Sequence, residues 1–155
     1  MHLVIDGYGG DRGKMWDAES IRQFLYDLPD SMGMTRITEP SVLEYHAPKP
    51  EDSGVSGFVI IAESHISVHT FPRRDHVNVD IFSCQPFDSD GALSRVKELF
   101  ALEEVKTWRL ERGLEWLDAR QGKLETQQQR AQLESRSTTV EITTETAMGT
   151  GQPGD

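Results

Sequence analysis

Apolar residues recur at helical spacing in two stretches of the chain. The first stretch places four of them at i, i+3, i+4 and i+7, on one face of a helix: Ile21, Phe24, Leu25 and Leu28. The second stretch follows Asp88 or Asp90, either of which can cap a helix at its amino end. Its inner face carries Leu93, Val96, Leu99 and Phe100. The pattern therefore predicts two amphipathic helices.

The remaining apolar segments read as short strands. Phe58–Ile61 is a continuous apolar run, which is typical of a central buried strand. The other strand candidates are His2–Asp6, Arg36–His46, Ile66–Phe71, Val77–Cys84 and Val105–Leu110. Pro40 weakens the candidate that contains it, because proline cannot donate a ladder hydrogen bond. The glycines between residues 7 and 13 predict a loop after the first strand.

The predicted order is strand, helix, strands, helix, strand. Two helices can cover one face of such a sheet but not both. The sequence therefore predicts an α/β (α+β) fold, a two-layer sandwich of one sheet with two helices on one face. The uncovered face should carry Ser67, His69, Asp80 and Cys84. That face is unusually polar for a hydrophobic core and rather apolar for a surface exposed to water. This combination suggests an active site, a dimer contact or both.

The composition changes near residue 113. The segment 114–155 contains a glutamine run and ends in a Ser/Thr/Gly-rich stretch, with little apolar surface to offset its ordering entropy. We predict one domain over 1–113 and a tail over 114–155. Three leucines could continue a weak helix over 114–134, and 135–155 is expected to be disordered.

The composition and the net charge argue against several classes of function. The 155 residues are 36% hydrophobic and carry a net charge of −10, which argues against nucleic acid or an anionic membrane as the main partner. No apolar run approaches a membrane span, and the first residues do not resemble a secretory signal. A single cysteine, Cys84, excludes an intrachain disulfide framework. We expect a cytoplasmic protein.

The segment from Gly54 to Pro72 contains the residues best suited to chemistry. A serine hydroxyl at the tight turn of Glu63-Ser64 can attack the carbonyl before it, and His69 on the adjoining strand is a candidate base. Cys84 would face the same cavity. Each residue also has an ordinary role: Ser64 as a turn residue, His69 as a strand histidine and Cys84 as a small apolar side chain.

A metal site on the histidines is not expected. His65, His69 and His76 are candidate ligands, but His65 and His69 stand about 13 Å apart along a strand. We therefore predict no metal.

Three linked motifs carry a resemblance to a known family. They are Gly-Val-Ser-Gly at residue 54, Glu-Ser-His-Ile-Ser-Val-His-Thr-Phe-Pro at residue 63, and Asp-Ile-Phe-Ser-Cys at residue 80. Together they resemble the prokaryotic-type S-adenosylmethionine decarboxylase proenzymes, over residues 1–112. The resemblance implies a sandwich of repeated β-α-β-β halves and a homodimer or higher homo-oligomer with active sites at the interface.

The resemblance also implies that the chain makes its own cofactor. By analogy, the Ser64 hydroxyl attacks the Glu63 carbonyl, the chain is cleaved between residues 63 and 64, and Ser64 becomes a pyruvoyl group. His69 matches the histidine that transfers a proton during processing, and Ser56 matches a serine that supports it. The products would be chains 1–63 and 64–155.

The pyruvoyl group would form a Schiff base with the substrate amine and withdraw electrons during decarboxylation. Cys84 matches the residue that donates a proton to the product. Neither a metal nor pyridoxal phosphate is required. The implied function is conversion of S-adenosylmethionine to its decarboxylated form and CO₂, for spermidine biosynthesis.

Positions near the substrate depart from the family pattern. Phe71 stands where Trp is usual, and Arg73 replaces a carboxylate that contacts substrate. Tyr45 could replace a missing aromatic residue before Gly-Val-Ser-Gly. Two alternatives therefore stay open: a pyruvoyl-dependent decarboxylase of L-ornithine or L-arginine, as in some relatives, or a non-catalytic homologue that acts as a regulatory or interaction subunit.

Overall fold

The structure, a computed structural model, describes residues 1–112 and, beyond them, residue 128 alone. Six strands form one sheet: β1 (His2–Tyr8), β2 (Ser41–Tyr45), β3 (Gly54–Ile61), β4 (Ser64–Phe71), β5 (His76–Ser83) and β6 (Glu104–Leu110). Three helices accompany it: α1 (Arg12–Trp16), α2 (Ala18–Ser31) and α3 (Ser89–Phe100). Short 3₁₀ turns lie at Pro50–Asp52 and Pro72–Arg74.

The strands are hydrogen-bonded in the order β2-β3-β4-β5-β1-β6, and every neighbouring pair is antiparallel. The helix of the second half follows β5 and precedes β6. This arrangement confirms the predicted two-layer sandwich of the α+β class.

One face of the sheet packs on the helices and forms the core. Alternate strand residues point into it because side chains on a strand alternate between faces. Its fully buried members include Leu3, Ile5, Val55, Val59, Ile66, Val68, Val79 and Ile81, which meet Ile21, Leu25, Leu28, Val96 and Phe100 from the helices. The helical spacing read from the sequence therefore identified the covered face of each helix.

The other face, here called the open face, has no helix over it among the described residues. It carries Ser67, His69 and Asp80, as predicted. Five large apolar side chains on it are at least 40% exposed: Leu43, Tyr45, Phe58, Ile60 and Trp108. An exposed apolar patch on a sheet face is typical of a contact surface.

Two expectations for the amino-terminal half were wrong. The predicted loop after β1 contains a five-residue helix, α1, whose start is capped by the Asp11 side chain. The strand predicted over Arg36–His46 is regular only from Ser41 to Tyr45, because Pro40 interrupts its ladder. Residues before Pro40 still bond to the end of β3, where the Ala62 N–H donates to the Thr35 carbonyl.

The predicted tail, with its weak helix over 114–134 and disorder over 135–155, lies outside the described residues apart from residue 128. None of the helices in the part of the chain described is long and apolar enough to cross a membrane.

Candidate active site

The turn between β3 and β4 contains the predicted cleavage site. Ala62 and Glu63 form a two-residue turn, and Ile61 pairs with Ser64 across it. Ser64 has a φ of 156°, a positive value that residues with side chains rarely adopt. The local backbone is therefore constrained at the residue whose hydroxyl was predicted to react.

His65 lies directly beside that hydroxyl. Ser64 Oγ and His65 Nδ1 are 3.1 Å apart and form a hydrogen bond. The His65 ring stacks on Phe58, with centroids 5.4 Å apart, and meets the Phe82 ring edge-on at 5.8 Å. The two aromatic rings hold the imidazole at the Ser64 end of the open face.

Glu63 is held by two separate hydrogen bonds. Its carbonyl oxygen accepts from the backbone N–H of Cys84 at 3.0 Å. Its side-chain Oε2 accepts from the backbone N–H of Thr35 at 3.1 Å. The first bond places a fixed donor on the carbonyl that Ser64 would attack, which is the arrangement that stabilises a developing oxyanion.

Cys84 follows the end of β5 and is half-buried with a free thiol. The preceding residue, Ser83, pairs with Ser64 across the β4–β5 ladder. Cys84 therefore lies at the same end of the sheet as the turn. It is beyond the strand rather than within it, so the facing expected from alternation does not apply to its side chain.

Ser56 and His69 form a second polar pair elsewhere on the open face. They are direct cross-strand partners on β3 and β4, and Ser56 Oγ lies 2.9 Å from His69 Nδ1. Both line a shallow cleft of about 160 Å³ together with Ser41, Leu43, Gly57, Phe58 and Ser67. The Ser56–His69 pair is thus accessible on the open face.

The two polar groups lie at opposite ends of β4. Ser64 is its first residue and His69 is five residues further along, a separation of about 16 Å at 3.3 Å per residue. The sequence predicts that His69 reaches Ser64 as a base. Within one chain the structure does not bring these two side chains together.

The predicted substrate contacts lie near the His69 end. Tyr45 is exposed and pairs with Gly54, which lies against the backbone of Thr70 near the end of β4. Phe71, the last residue of β4, stacks on His76 with ring centroids 6.0 Å apart. Arg73 is exposed in the turn that follows Phe71. Tyr45 and Phe71 therefore lie at the same end of β2 and β4, the two strands on either side of β3.

Two features of the site were missed from the sequence. The sequence marks His65 only as a candidate metal ligand. Neighbouring strand residues normally point to opposite faces, so a contact between His65 and the Ser64 hydroxyl is not expected from the pattern. The unusual φ of Ser64 removes that restriction. The N–H of Cys84 has no sequence signature, since it depends on where β5 ends. Among residues 1–112, no three His, Cys, Asp or Glu side chains cluster as a metal site would require.

Comparisons with known proteins identify the family. A sequence model described as S-adenosylmethionine decarboxylase matches residues 1–113. An S-adenosylmethionine decarboxylase proenzyme of Anoxybacillus flavithermus is 30% identical over 122 residues, covering 79% of this chain and 94% of the relative. A proenzyme of the same name from Clostridium botulinum (strain Langeland) is 33% identical over 113 residues, covering 72% and 92%.

The crystal structure of the adenosylmethionine decarboxylase from Aquifex aeolicus is similar in fold. It is 27% identical to this chain with a TM-score of 0.61, and the match covers 72% of this chain and 88% of that one. Sequence and fold agree over the same domain, and the chain therefore belongs to the S-adenosylmethionine decarboxylase family.

Proposed function

We propose that this protein is a self-processing, pyruvoyl-dependent decarboxylase of S-adenosylmethionine that supplies decarboxylated S-adenosylmethionine for spermidine biosynthesis. The observation that carries the proposal is the geometry of the bond between Glu63 and Ser64. A serine hydroxyl with a hydrogen-bonded imidazole follows that bond, and a backbone N–H donates to its carbonyl. A nucleophile, a base and an oxyanion donor are the groups that acyl transfer needs.

Processing begins at this bond. The Ser64 oxygen attacks the Glu63 carbonyl carbon, and the Cys84 N–H stabilises the charge that develops on the carbonyl oxygen. Collapse of this adduct breaks the C–N bond and leaves an ester between the two residues. Removal of the Ser64 α-proton then expels the Glu63 carboxylate and leaves a dehydroalanine at position 64. This enamine tautomerises to an imine, which adds water and releases ammonia, so that chain 64–155 begins with a pyruvoyl group.

The residues around position 64 fit such a group. Its precursor hydroxyl is already at a constrained turn, and the Cys84 thiol lies at the same end of the sheet. A pyruvoyl carbonyl supplies the electron withdrawal that decarboxylation of an amine substrate needs. Cys84 can then deliver a proton to the carbon that has lost CO₂.

Tyr45 and Phe71 are the proposed substrate contacts. They lie on β2 and β4, the two strands that flank β3, at the His69 end of the open face. Aromatic faces suit both an adenine ring and a sulfonium cation. This placement supports an adenosyl substrate, whereas a short basic amino acid would use less of that surface.

The separation of the two polar pairs supports a homodimer with shared sites. Ser64 and His69 lie about 16 Å apart in one chain, and five exposed apolar side chains cover the face between and around them. In such a dimer the open faces of two copies pack together, and the two-fold axis lies between the two sheets, perpendicular to the strands. This symmetry places the Ser64 end of one copy over the His69 end of the other. His69 and Ser56 then assist processing of a second copy's Ser64.

Complementation tests the shared site. Chains with Ser64→Ala or His69→Ala should each stay uncleaved when expressed alone. When the two are co-expressed with different tags, the His69→Ala chain should be cleaved, because it keeps Ser64 and receives His69 from the other copy. If the His69→Ala chain stays uncleaved although mixed dimers form, the shared arrangement is overturned.

Substrate and cofactor are tested together by intact mass spectrometry. The protein is incubated with S-adenosylmethionine, L-ornithine and L-arginine in the presence of cyanoborohydride. A covalent adduct on chain 64–155 with the mass of the decarboxylated or intact adenosyl amine supports the proposal, and an ornithine or arginine adduct would replace it with a basic amino acid decarboxylase. A single uncleaved chain of 155 residues would indicate a non-catalytic homologue.

A further inference from the structure

We propose that His65 is the general base for the first step of self-processing, the attack of the Ser64 hydroxyl on the Glu63 carbonyl. This inference rests on the proposed self-cleavage. It assigns the two histidines of the strand to different steps, with His65 acting on the hydroxyl of its own chain and His69 acting later.

The contact with the reacting atom carries the assignment. His65 Nδ1 lies 3.1 Å from Ser64 Oγ, within the hydrogen-bond reach that proton transfer requires. No other imidazole in the described residues is hydrogen-bonded to that hydroxyl. His69 is five residues along β4 and is engaged with Ser56.

The surroundings of His65 suit a fixed base. Its ring lies between Phe58 on β3 and Phe82 on β5, one stacked and one edge-on. This packing restricts ring rotation, so the nitrogen stays directed at the hydroxyl without an ordering cost at the moment of reaction. The positive φ of Ser64 completes the geometry, because an ordinary strand would place the two side chains on opposite faces.

The proton balance of the step is complete within one chain. His65 Nδ1 takes the hydroxyl proton as the Ser64 oxygen bonds to the Glu63 carbonyl carbon, and the carbonyl electron pair moves to its oxygen beside the Cys84 N–H. When the C=O bond re-forms, the C–N bond breaks and the protonated imidazole returns the proton to the departing Ser64 nitrogen. The product is an ester with a free amine, and His65 is neutral again.

Hydroxylamine separates this step from the next. It cleaves an ester between residues 63 and 64 but leaves the amide intact. We expect His65→Asn, made by cell-free synthesis, to remain a full-length amide with or without hydroxylamine, and its cleavage to be slowed by about 100-fold or more. His69→Ala, which would block only the later loss of the α-proton, should accumulate an ester that hydroxylamine cleaves.

A second variant guards against misfolding. His65→Phe keeps an aromatic ring between Phe58 and Phe82 but has no nitrogen, and it should also remain an amide. Thermal unfolding of both variants is compared with that of Ser64→Ala, which also stays in one chain. Cleavage of either His65 variant at the wild-type rate, or accumulation of its ester, would overturn the inference.

Co-expression distinguishes the two histidines independently. A Ser64→Ala copy carries a normal His65 and a normal His69. It should rescue cleavage of a His69→Ala chain but not of a His65→Asn chain, because His65 serves the serine next to it. If wild-type protein is not cleaved, the proposed function fails; if it is cleaved and the Ser64→Ala copy also rescues His65→Asn, only the His65 assignment fails.

Discussion

The backbone N–H of Cys84 donates a 3.0 Å hydrogen bond to the carbonyl oxygen of Glu63, 21 positions earlier in the chain. Cys84, which follows the end of β5, therefore takes part in two stages of the proposed chemistry. Its amide stabilises the carbonyl oxygen while the chain is intact, and its thiol serves the substrate after cleavage. The two roles belong to different atoms, so substitutions can separate them.

Cys84→Ala keeps the amide and loses the thiol. We expect it to cleave at close to the wild-type rate but to decarboxylate S-adenosylmethionine at least about 100-fold more slowly, because a proton donor is missing. Cys84→Pro lacks the N–H and should cleave about 100-fold to 1,000-fold more slowly, the usual effect of removing one oxyanion donor. Gln85→Pro is the control for a nearby proline, since within residues 1–112 the Gln85 N–H bonds only to Ser83 Oγ. Equal cleavage by all three variants would count against the amide's role.

Arg73 should limit affinity for a cationic substrate. It is exposed beside the Phe71 end of the open face and makes no hydrogen bond or ion pair within residues 1–112. Arg73→Glu should lower KM for S-adenosylmethionine by about threefold to tenfold with little change in kcat, because two units of charge change near the sulfonium. Arg74→Glu is the matched control, since Arg74 is already paired with Asp52. A rise in KM for Arg73→Glu alone would indicate that Arg73 binds the substrate carboxylate.

His2 should make folding sensitive to acid. Burial lowers the pKa of His2 below its usual 6.5, outweighing the raising effect of Asp80, and nearby Arg112 lowers it further. Its Nδ1 faces an Arg112 nitrogen at 2.9 Å, which can only donate, so the ring is neutral and donates from Nε2 to Asp80.

The sign of the pH effect follows from this lowered pKa. As pH falls through 6.5, the unfolded chain takes up a proton on His2 before the folded protein does, so the free energy of unfolding decreases. In a Ser64→Ala background, His2→Asn should flatten this decrease between pH 6.5 and 5. The parent Ser64→Ala protein is the control. Urea denaturation at several pH values makes the comparison, and parallel curves for all proteins would exclude His2 as a contributor.

Thr70, on β4, links that strand to β3 and to α1 through buried hydrogen bonds. Its buried Oγ1 accepts from the Val55 N–H at 2.8 Å and lies 2.9 Å from the Met15 carbonyl oxygen, to which it donates. Thr70→Val preserves the shape but leaves these groups without a partner, so the free energy of unfolding should fall by about 2 kcal/mol. Urea denaturation in a Ser64→Ala background measures it. Thr107→Val, whose hydroxyl makes no hydrogen bond within the described part of the chain, should cost under about 0.5 kcal/mol.

Much of the fold could be predicted from local pattern. The spacing of Ile21, Phe24, Leu25 and Leu28 identified α2 and its buried face, since a helix brings those positions together whatever lies around them. The residue at which the regular strand begins within the Arg36–His46 candidate could not be predicted in the same way. Its residues bond to β3 on both sides of Pro40, and only the assembled sheet decides which part is a regular strand.

The sequence by itself determined the chemistry available: a serine after a turn, a histidine on the same strand, one cysteine, and the three motifs that mark the family. Only the tertiary structure decided which of these groups meet. A strand rises about 3.3 Å per residue, so β4 holds Ser64 and His69 far apart in one chain. The positive φ at Ser64 and the end of β5 instead bring His65 and the Cys84 N–H to the bond before Ser64, because those contacts depend on backbone conformation and strand pairing rather than on residue type.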